Sequence, residues 1–320
     1  MENTMNRRRF SKIAALASTT FFADKSLWAM NQPFADESKS EGEVYHFKIG
    51  DFECICINDG GNNYEPERFF KNVPKEQIKN VLQQHNLPID YIYTPYTHLI
   101  VNTGKHLVLV DTGAGNLIPN NGKLAPSMKS AGIEPTEIDT VFITHAHPDH
   151  IGGLLDDENK PIYSNARYCI WRDEWDFWFS EKAHEIAKES HIKNAREKLG
   201  PLKDRMDYVE KECEFLPGIH VIAAPGHTPG HMVISFSSGG EQLYYVADTV
   251  LYPLHLEHTD WLPVYDILPQ KAELSKRKIF NLVAEKHAFV IGQHFVPFPS
   301  LGTVVKKGNG WLWQPIEKKG

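Results

Sequence analysis

The sequence predicts a layered α/β domain, and three observations carry that prediction. Short apolar, β-branched runs such as "IDTVFIT" and "IHVIAA" recur along the chain and suit buried strands. Charged stretches with helical character lie between them. Four apolar runs are followed at once by a histidine or an aspartate, at the edge where layered α/β proteins assemble their sites.

In chain order, "VYHFKIGDFECICIN" reads as a hairpin turning at Gly50-Asp51. Cys54 and Cys56 alternate on its second arm and so point to one face. Neither they nor Cys169 and Cys213 form a CxxC or a Cys/His ligand pattern, so buried free thiols are expected. "PKEQIKNVLQQH" is a helix opened by Pro74. "THLIVNTGKHLVLVDTG" is a second hairpin, turning at Thr103-Gly104-Lys105. "IDTVFIT" is a buried strand. From Trp171 to about Lys211 the pattern is charged and helical, broken at Gly200-Pro201. "IHVIAA", "HMVISFS" and "EQLYYVA" return to strand, a helix follows within Gln270–Lys286, and "HAFVIG" is strand again.

The N-terminus is of another kind. Arg7, Arg8 and Arg9 precede Phe10, Lys12 and an eleven-residue, mostly apolar stretch, Ile13–Ala23, too short to span a bilayer. A basic segment before a short apolar one has the grammar of a signal peptide, and Arg7-Arg8-x-Phe-x-Lys resembles a twin-arginine export signal. The expected organisation is a signal over residues 1–30, a polar linker over 31–43 and one domain over 44–320. The chain is then periplasmic or secreted, with the twin-arginine export machinery as a partner and no stable membrane anchor. A net charge of −7 excludes the basic footprint of a nucleic-acid surface.

"THAHPDH" places His145, His147, Asp149 and His150 within six positions. A closed structural zinc site is mostly cysteine-rich, and no cysteine is near. His145 and His147 can reach one ion from a loop, while Asp149 and His150 diverge towards another. His227, after "IHVIAA", completes the first set, and His294, after "HAFVIG", completes the second. Asp248, at the end of "LYYVAD", can bridge both ions through its two oxygens. Two divalent ions, two carboxylates and one bridging hydroxide leave a net charge of about +1, an electrophilic and tolerable centre. Imidazole and carboxylate suit zinc, and the same donors accept iron or manganese.

"THAHPDHIGGL" matches the HxHxDH signature of the metallo-β-lactamase superfamily, and "LVLVDTGAG", "PGHTPGH", "VAD" and "GQH" follow that family's order. The resemblance covers the chain from about Val44 onward and implies an αββα sandwich with the metal site on one edge. It also implies that Asp111 supports the ligands from behind, and that His231 supports rather than binds. The tail "QHFVPFPSLGTVVKKGNGWLWQPI" resembles the methyl parathion hydrolase-like branch, where a helical cap corresponding to "WRDEWDFWF" lines the pocket. Related quorum-quenching lactonases share the ligands but carry tyrosine three residues after the bridging aspartate. Leu251 stands there in this chain, with Tyr252 one position off, which counts against acyl-homoserine lactone chemistry of that type.

The resulting expectation is an exported binuclear hydrolase that uses a metal-bridging hydroxide on an ester, lactone or phosphotriester. Asp149 and Asp248 are its catalytic carboxylates, and Trp178 and Leu251 its candidate pocket residues. Trp171, Trp175 and Trp178 recur at helical spacing, which equally suits packing of the cap onto the core. His255 and His258 are placed near the mouth. A homodimer is the assembly that the resemblance suggests. The competing readings are a β-lactamase or another hydrolase of this fold, and, in a different class, a non-catalytic metal- or partner-binding protein.

Overall fold

The computed structural model describes residues 43–317. The expected export signal over 1–30 lies outside these residues, as does the linker over 31–43 except for Glu43. No helix among the described residues is long and apolar enough to cross a membrane.

The first sheet runs β1 (Val44–Ile49), β2 (Phe52–Tyr64), β3 (Ile92–Asn102), β4 (Leu107–Val110), β5 (Thr140–Ile143), β6 (Arg167–Trp171) and β7 (Met206–Val209), in that spatial order. Its first four strands are antiparallel, with the expected hairpin turns joining β1 to β2 and β3 to β4 and the helices Pro66–Phe69 and Lys75–Gln84 lying between β2 and β3, and β4 to β7 are parallel. The second sheet holds β8 (Cys213–Leu216), β9 (Ile219–Ala223), β10 (Met232–Ser238), β11 (Glu241–Tyr245), β12 (Phe289–Ile291), β13 (Leu301–Lys307) and β14 (Gly310–Pro315).

Strand alternation sorts the side chains into layers. Cys54, Cys56, Val108, Val110 and Phe142 face Val221, Ile234, Phe236 and Leu243 of the other sheet. Ile55, Ile57, Leu109, Val141 and Ile143 turn the other way, onto helices that supply Met128, Ile192 and Leu199. On the far side, Val233, Tyr244 and Val290 pack against Ile279, Phe280 and Val283 of the long helix Pro269–Glu285. The result is the αββα sandwich. All four cysteines are free, and three of them are buried.

The helical stretch expected from Trp171 to Lys211 needs correction. It consists of α-helices at Arg172–Trp178, Lys182–Ile186 and Glu189–Leu199, then a 3-10 segment at Gly200–Arg205, and it ends in β7. Trp171 closes β6 rather than opening a helix. Both strands are only four or five residues long and have charged flanks, so their period-2 pattern is too brief to stand out.

Candidate metal centre

The site lies where the two sheets meet at one edge. Beyond β5 the chain passes through Thr144 and lays His145 to His150 along a loop and the short helix Pro148–Ile151. Met232 N–H donates to Thr144 O (3.0 Å) and ties β10 to this loop. His227, Asp248 and His294 follow β9, β11 and β12. The glycine after the motif has a steric reason: a Cβ on Gly152 would sit 1.9 Å from Ala114 O in the "DTGAG" loop packed on it. Asp111 and Ala247 are both held at positive φ, 58° and 44°, a cost tolerated here to aim the Asp111 and Asp248 carboxylates.

The seven side chains fall into two groups of donor atoms. In the first, His145 Nε2 lies 3.1 Å from His147 Nδ1, which lies 2.8 Å from His227 Nε2. Asp248 Oδ2 closes the set at 3.1 Å from His227 and 3.7 Å from His145. In the second, His150 Nε2 is 3.7 Å from Asp149 Oδ2 and 3.5 Å from Asp248 Oδ1. His294 Nε2 is 3.4 Å from Asp149 Oδ2 and 3.3 Å from Asp248 Oδ1. A tetrahedral ion bound at about 2.0–2.1 Å holds its donors about 3.3–3.4 Å apart; the second set lies at 3.3–3.7 Å, and the first set at 2.8–3.7 Å brackets that length. His150 Nε2 and Asp248 Oδ1 are buried without a hydrogen-bond partner, as donors reserved for an ion would be.

Four of the five imidazoles are aimed by their other nitrogen, which fixes the tautomer. His150 Nδ1–H donates to Asp111 Oδ2 (2.7 Å) and His227 Nδ1–H to Asp266 Oδ1 (3.0 Å). His294 Nδ1–H donates to Pro95 O (3.0 Å), and His145 Nδ1 lies 3.2 Å from Thr144 Oγ1. Thr144 in turn donates its N–H and hydroxyl to the two oxygens of Asp111, 2.8 Å each. Asp248 N–H donates to His231 Nε2 (3.1 Å). Asp111 and His231 thus stand behind the donors, not among them.

The electrostatics ask for positive charge at the centre. Burial disfavours a charged imidazole and holds His145 and His147 well below the usual histidine range. Burial acts the same way on His227, but Asp248 and Asp266 together outweigh it and carry His227 up to about 9. Burial likewise opposes charge on Asp248, yet His294, His150 and His227 hold its carboxyl well below the usual range. A cluster of lone pairs around a buried carboxylate is stabilised by cations.

Other expected residues take different places. Trp178 is 0% exposed. Its Nε1–H donates to Glu174 Oε1 (2.7 Å), and its ring stands edge-on to His147 at 5.9 Å. Leu251 is buried in a satellite core with Phe69, Phe70, Tyr252 and Trp261. His255 is in that same region, its Nε2–H donating to Phe69 O (2.8 Å), and burial pushes it down to about 3. His258 stacks on Trp261, 4.1 Å between ring centroids.

Several residues at the site carried no sequence signal. Buried Glu174 accepts from Ala146 N, Trp178 Nε1, Thr228 Oγ1 and Gly230 N at 2.6–3.0 Å, joining both histidine loops to one helix. Gly230 is required there, since a Cβ would meet Glu174 N at 2.1 Å. His191, assigned no role from the sequence, has its ring 4.8 Å from that of His147. Burial and Lys188 push it down to about 4. Spacing alone shows none of this; the i,i+4 relation of Glu174 to Trp178 is the one clue the sequence holds.

A family model described as the metallo-beta-lactamase superfamily matches residues 93–294. The chain belongs to the metallo-beta-lactamase superfamily. Within it, the chain is similar to an N-acyl homoserine lactonase of Bacillus sp, 27% identical over 164 residues, covering 45% of this chain and 59% of that protein. It is also similar to N-acyl homoserine lactonase AiiA of Bacillus thuringiensis subsp. kurstaki, 23% identical over 61% of this chain and 79% of that one. The chain therefore spans about three-fifths of the length of the first of these relatives. Among solved structures, the dizinc quorum-quenching lactonase AidC, in complex with a product, has a TM-score of 0.80 and 29% identity over 87% of this chain and 98% of its own. The hydrolase AbOPH of the beta lactamase superfamily has a TM-score of 0.80 and 27% identity over the same shares.

Proposed function

We propose that the chain is a binuclear metal-dependent hydrolase, with zinc as its metal, that opens lactones of the N-acyl homoserine type. The observation that carries this reading is Asp248, whose Oδ2 faces the His145/His147/His227 set while Oδ1 faces the Asp149/His150/His294 set. Zinc is supported by the donor chemistry and by the dizinc neighbour AidC. Two bound divalent ions would supply Lewis acidity and a water acidified towards neutral pH.

The protein's part is to hold and orient. Asp111, Asp266, Pro95 and Thr144 lock the imidazoles with their donor nitrogens inward. Asp248 keeps the two sets in register. Asp149, the most solvent-accessible of the seven, holds a proton at its carboxylate as the attacking water loses it. Lactone is favoured over phosphotriester because the named curated relatives and the neighbour AidC are lactonases, even though Leu251 stands where related lactonases carry tyrosine.

The test pairs metal content with hydrolysis of a lactone, aryl ester, phosphotriester and β-lactam panel, for wild type, His147→Ala and Asp248→Asn. Loss of metal and of hydrolysis together is expected. Full hydrolysis by both variants with no metal bound overturns the reading, and a metal-loaded wild type inert on every substrate leaves a binding protein. We also infer export from Arg7-Arg8. Replacing both with lysine is expected to trap the chain in the cytoplasm, and unchanged export refutes the inference.

A further inference from the structure

Beside the Asp149/His294 set lies a pair of phenols that the ligand geometry does not use. Tyr96 is buried in β3, next to Pro95, whose carbonyl accepts from His294, and its ring meets the His294 ring edge-on at 5.3 Å. The register of β2 against β3 slips between Asn58/Thr97 and Gly61/Pro95, so a bulge at Asp59–Gly60 stands opposite Tyr96. Such a bulge re-aims side chains. Tyr64, at the end of β2, reaches back so that its Oη lies 2.5 Å from Tyr96 Oη. Phe69 and Tyr265 hold the Tyr64 ring at 5.7 and 6.2 Å.

The hydrogens of this pair can be placed by counting. Asn62 Nδ2 donates to Tyr96 Oη (3.0 Å). Tyr96 has one proton left, and as a fully buried phenol it must spend it on the near oxygen, Tyr64 Oη. Tyr64 is then the acceptor in the pair, and its own O–H is the donor left over, on the more exposed of the two rings. The contact of the Tyr96 ring with His294 puts the pair on the Asp149/His150/His294 side of the centre. Burial and Asp149 push Tyr64 up to about 12, so it is a neutral donor at working pH.

We propose that Tyr64 is a catalytic residue that donates a hydrogen bond to the leaving oxygen of the substrate, with Tyr96 and Asn62 as the positioning residues that turn its O–H towards it. The inference rests on the hydrolase reading above and deepens it. When the acyl C–O bond breaks, the electron pair goes to the leaving oxygen; the Tyr64 hydrogen bond stabilises that charge, and the proton that neutralises it comes from the attacking water. A donor of this kind matters most for a poor leaving group such as an alkoxide and least for a stabilised phenolate.

The experiment is Tyr64→Phe in the metal-loaded full chain, on N-hexanoyl homoserine lactone and on aryl esters of graded leaving-group pKa. Loss of about 100-fold in kcat/KM is expected on the lactone, with under about threefold on the 4-nitrophenyl ester, so the rate depends more steeply on leaving-group pKa. Affinity for the product N-hexanoyl homoserine, whose hydroxyl is the former leaving oxygen, should weaken about tenfold by calorimetry. Metal content and Tm should stay at wild-type values, and Tyr96→Phe should show the same pattern to a smaller degree. An equal loss across the series, or no loss with unchanged product binding, overturns the assignment. A wild type that cleaves aryl esters but no lactone overturns only the lactone reading, and the ester series still decides Tyr64.

Discussion

The two donor sets share Asp248 yet have different surroundings. His145, His147 and His227 form an all-imidazole set, closed off behind by Glu174 and Trp178. Asp149, His150 and His294 include a carboxylate whose side chain is 15% exposed, the highest of the seven, and phenols stand beside them. A buried set of three imidazole donors is built to retain an ion. In the proposed reaction, the set with a second carboxylate at the open side meets substrate and handles a proton. One centre thus divides holding from reacting, with Asp248 as the shared element.

The largest effect is expected from Asp248→Asn, which removes the charge common to both sets. Metal content should fall for both ions, and hydrolysis should drop about a thousandfold, measured as kcat/KM. A variant that kept one set loaded would show the sets to be independent and break the comparison.

Glu174→Ala comes next. It leaves Ala146 N–H, Gly230 N–H, the Thr228 hydroxyl and the Trp178 indole without their acceptor in a fully buried place. A loss of about 3–4 kcal/mol in chemical denaturation is expected. The metal of the all-imidazole set should weaken with it, and equal weakening of both sets would contradict the division.

Two supporting carboxylates sharpen the contrast further. Asp266→Asn frees the His227 tautomer and Asp111→Asn frees that of His150. Each is expected to weaken one ion by about 10–100-fold, Asp266→Asn in the first set and Asp111→Asn in the second, by competition with a chelator. The result that would count against it is the same ion lost in both.

The smallest effect at neutral pH concerns a histidine outside both sets. His255 has its folded pKa pushed down to about 3 by burial, against 6.5 when exposed. The unfolded chain therefore binds the extra proton between those values. Stability is fully present above pH 6.5 and falls as the pH drops towards 3, by about 1.4 kcal/mol per pH unit for this group. His255→Gln should flatten the acid limb of the stability profile by that amount, and an unchanged slope would refute it.

Much of this was legible in the residues. Strands β1 to β5 and β9 to β12 were marked by alternation or apolar runs bounded by turn residues, four of the donors by their place after strands, and His147, Asp149 and His150 by their spacing in "THAHPDH". The layering also followed, since Cys54 and Cys56 share the face turned to the second sheet. What stayed hidden is what contacts alone create. Glu174 belongs to no pattern among its acidic neighbours Asp173 and Asp176, and only folding buries it against two histidine loops. Asp266 belongs to no pattern, and His191 meets His147 only because the helix Glu189–Leu199 crosses the loop. Trp178 showed the reverse: its spacing was real, but it packs the helix and braces His147.

The most direct measurement is the metal stoichiometry of the purified full chain by elemental analysis, for wild type and for His294→Ala. Two divalent ions per wild-type chain and one in the variant are expected, because His294 serves only the Asp149/His150 set. One ion per wild-type chain, or no difference between the two proteins, would contradict a centre in which Asp248 spans two ions.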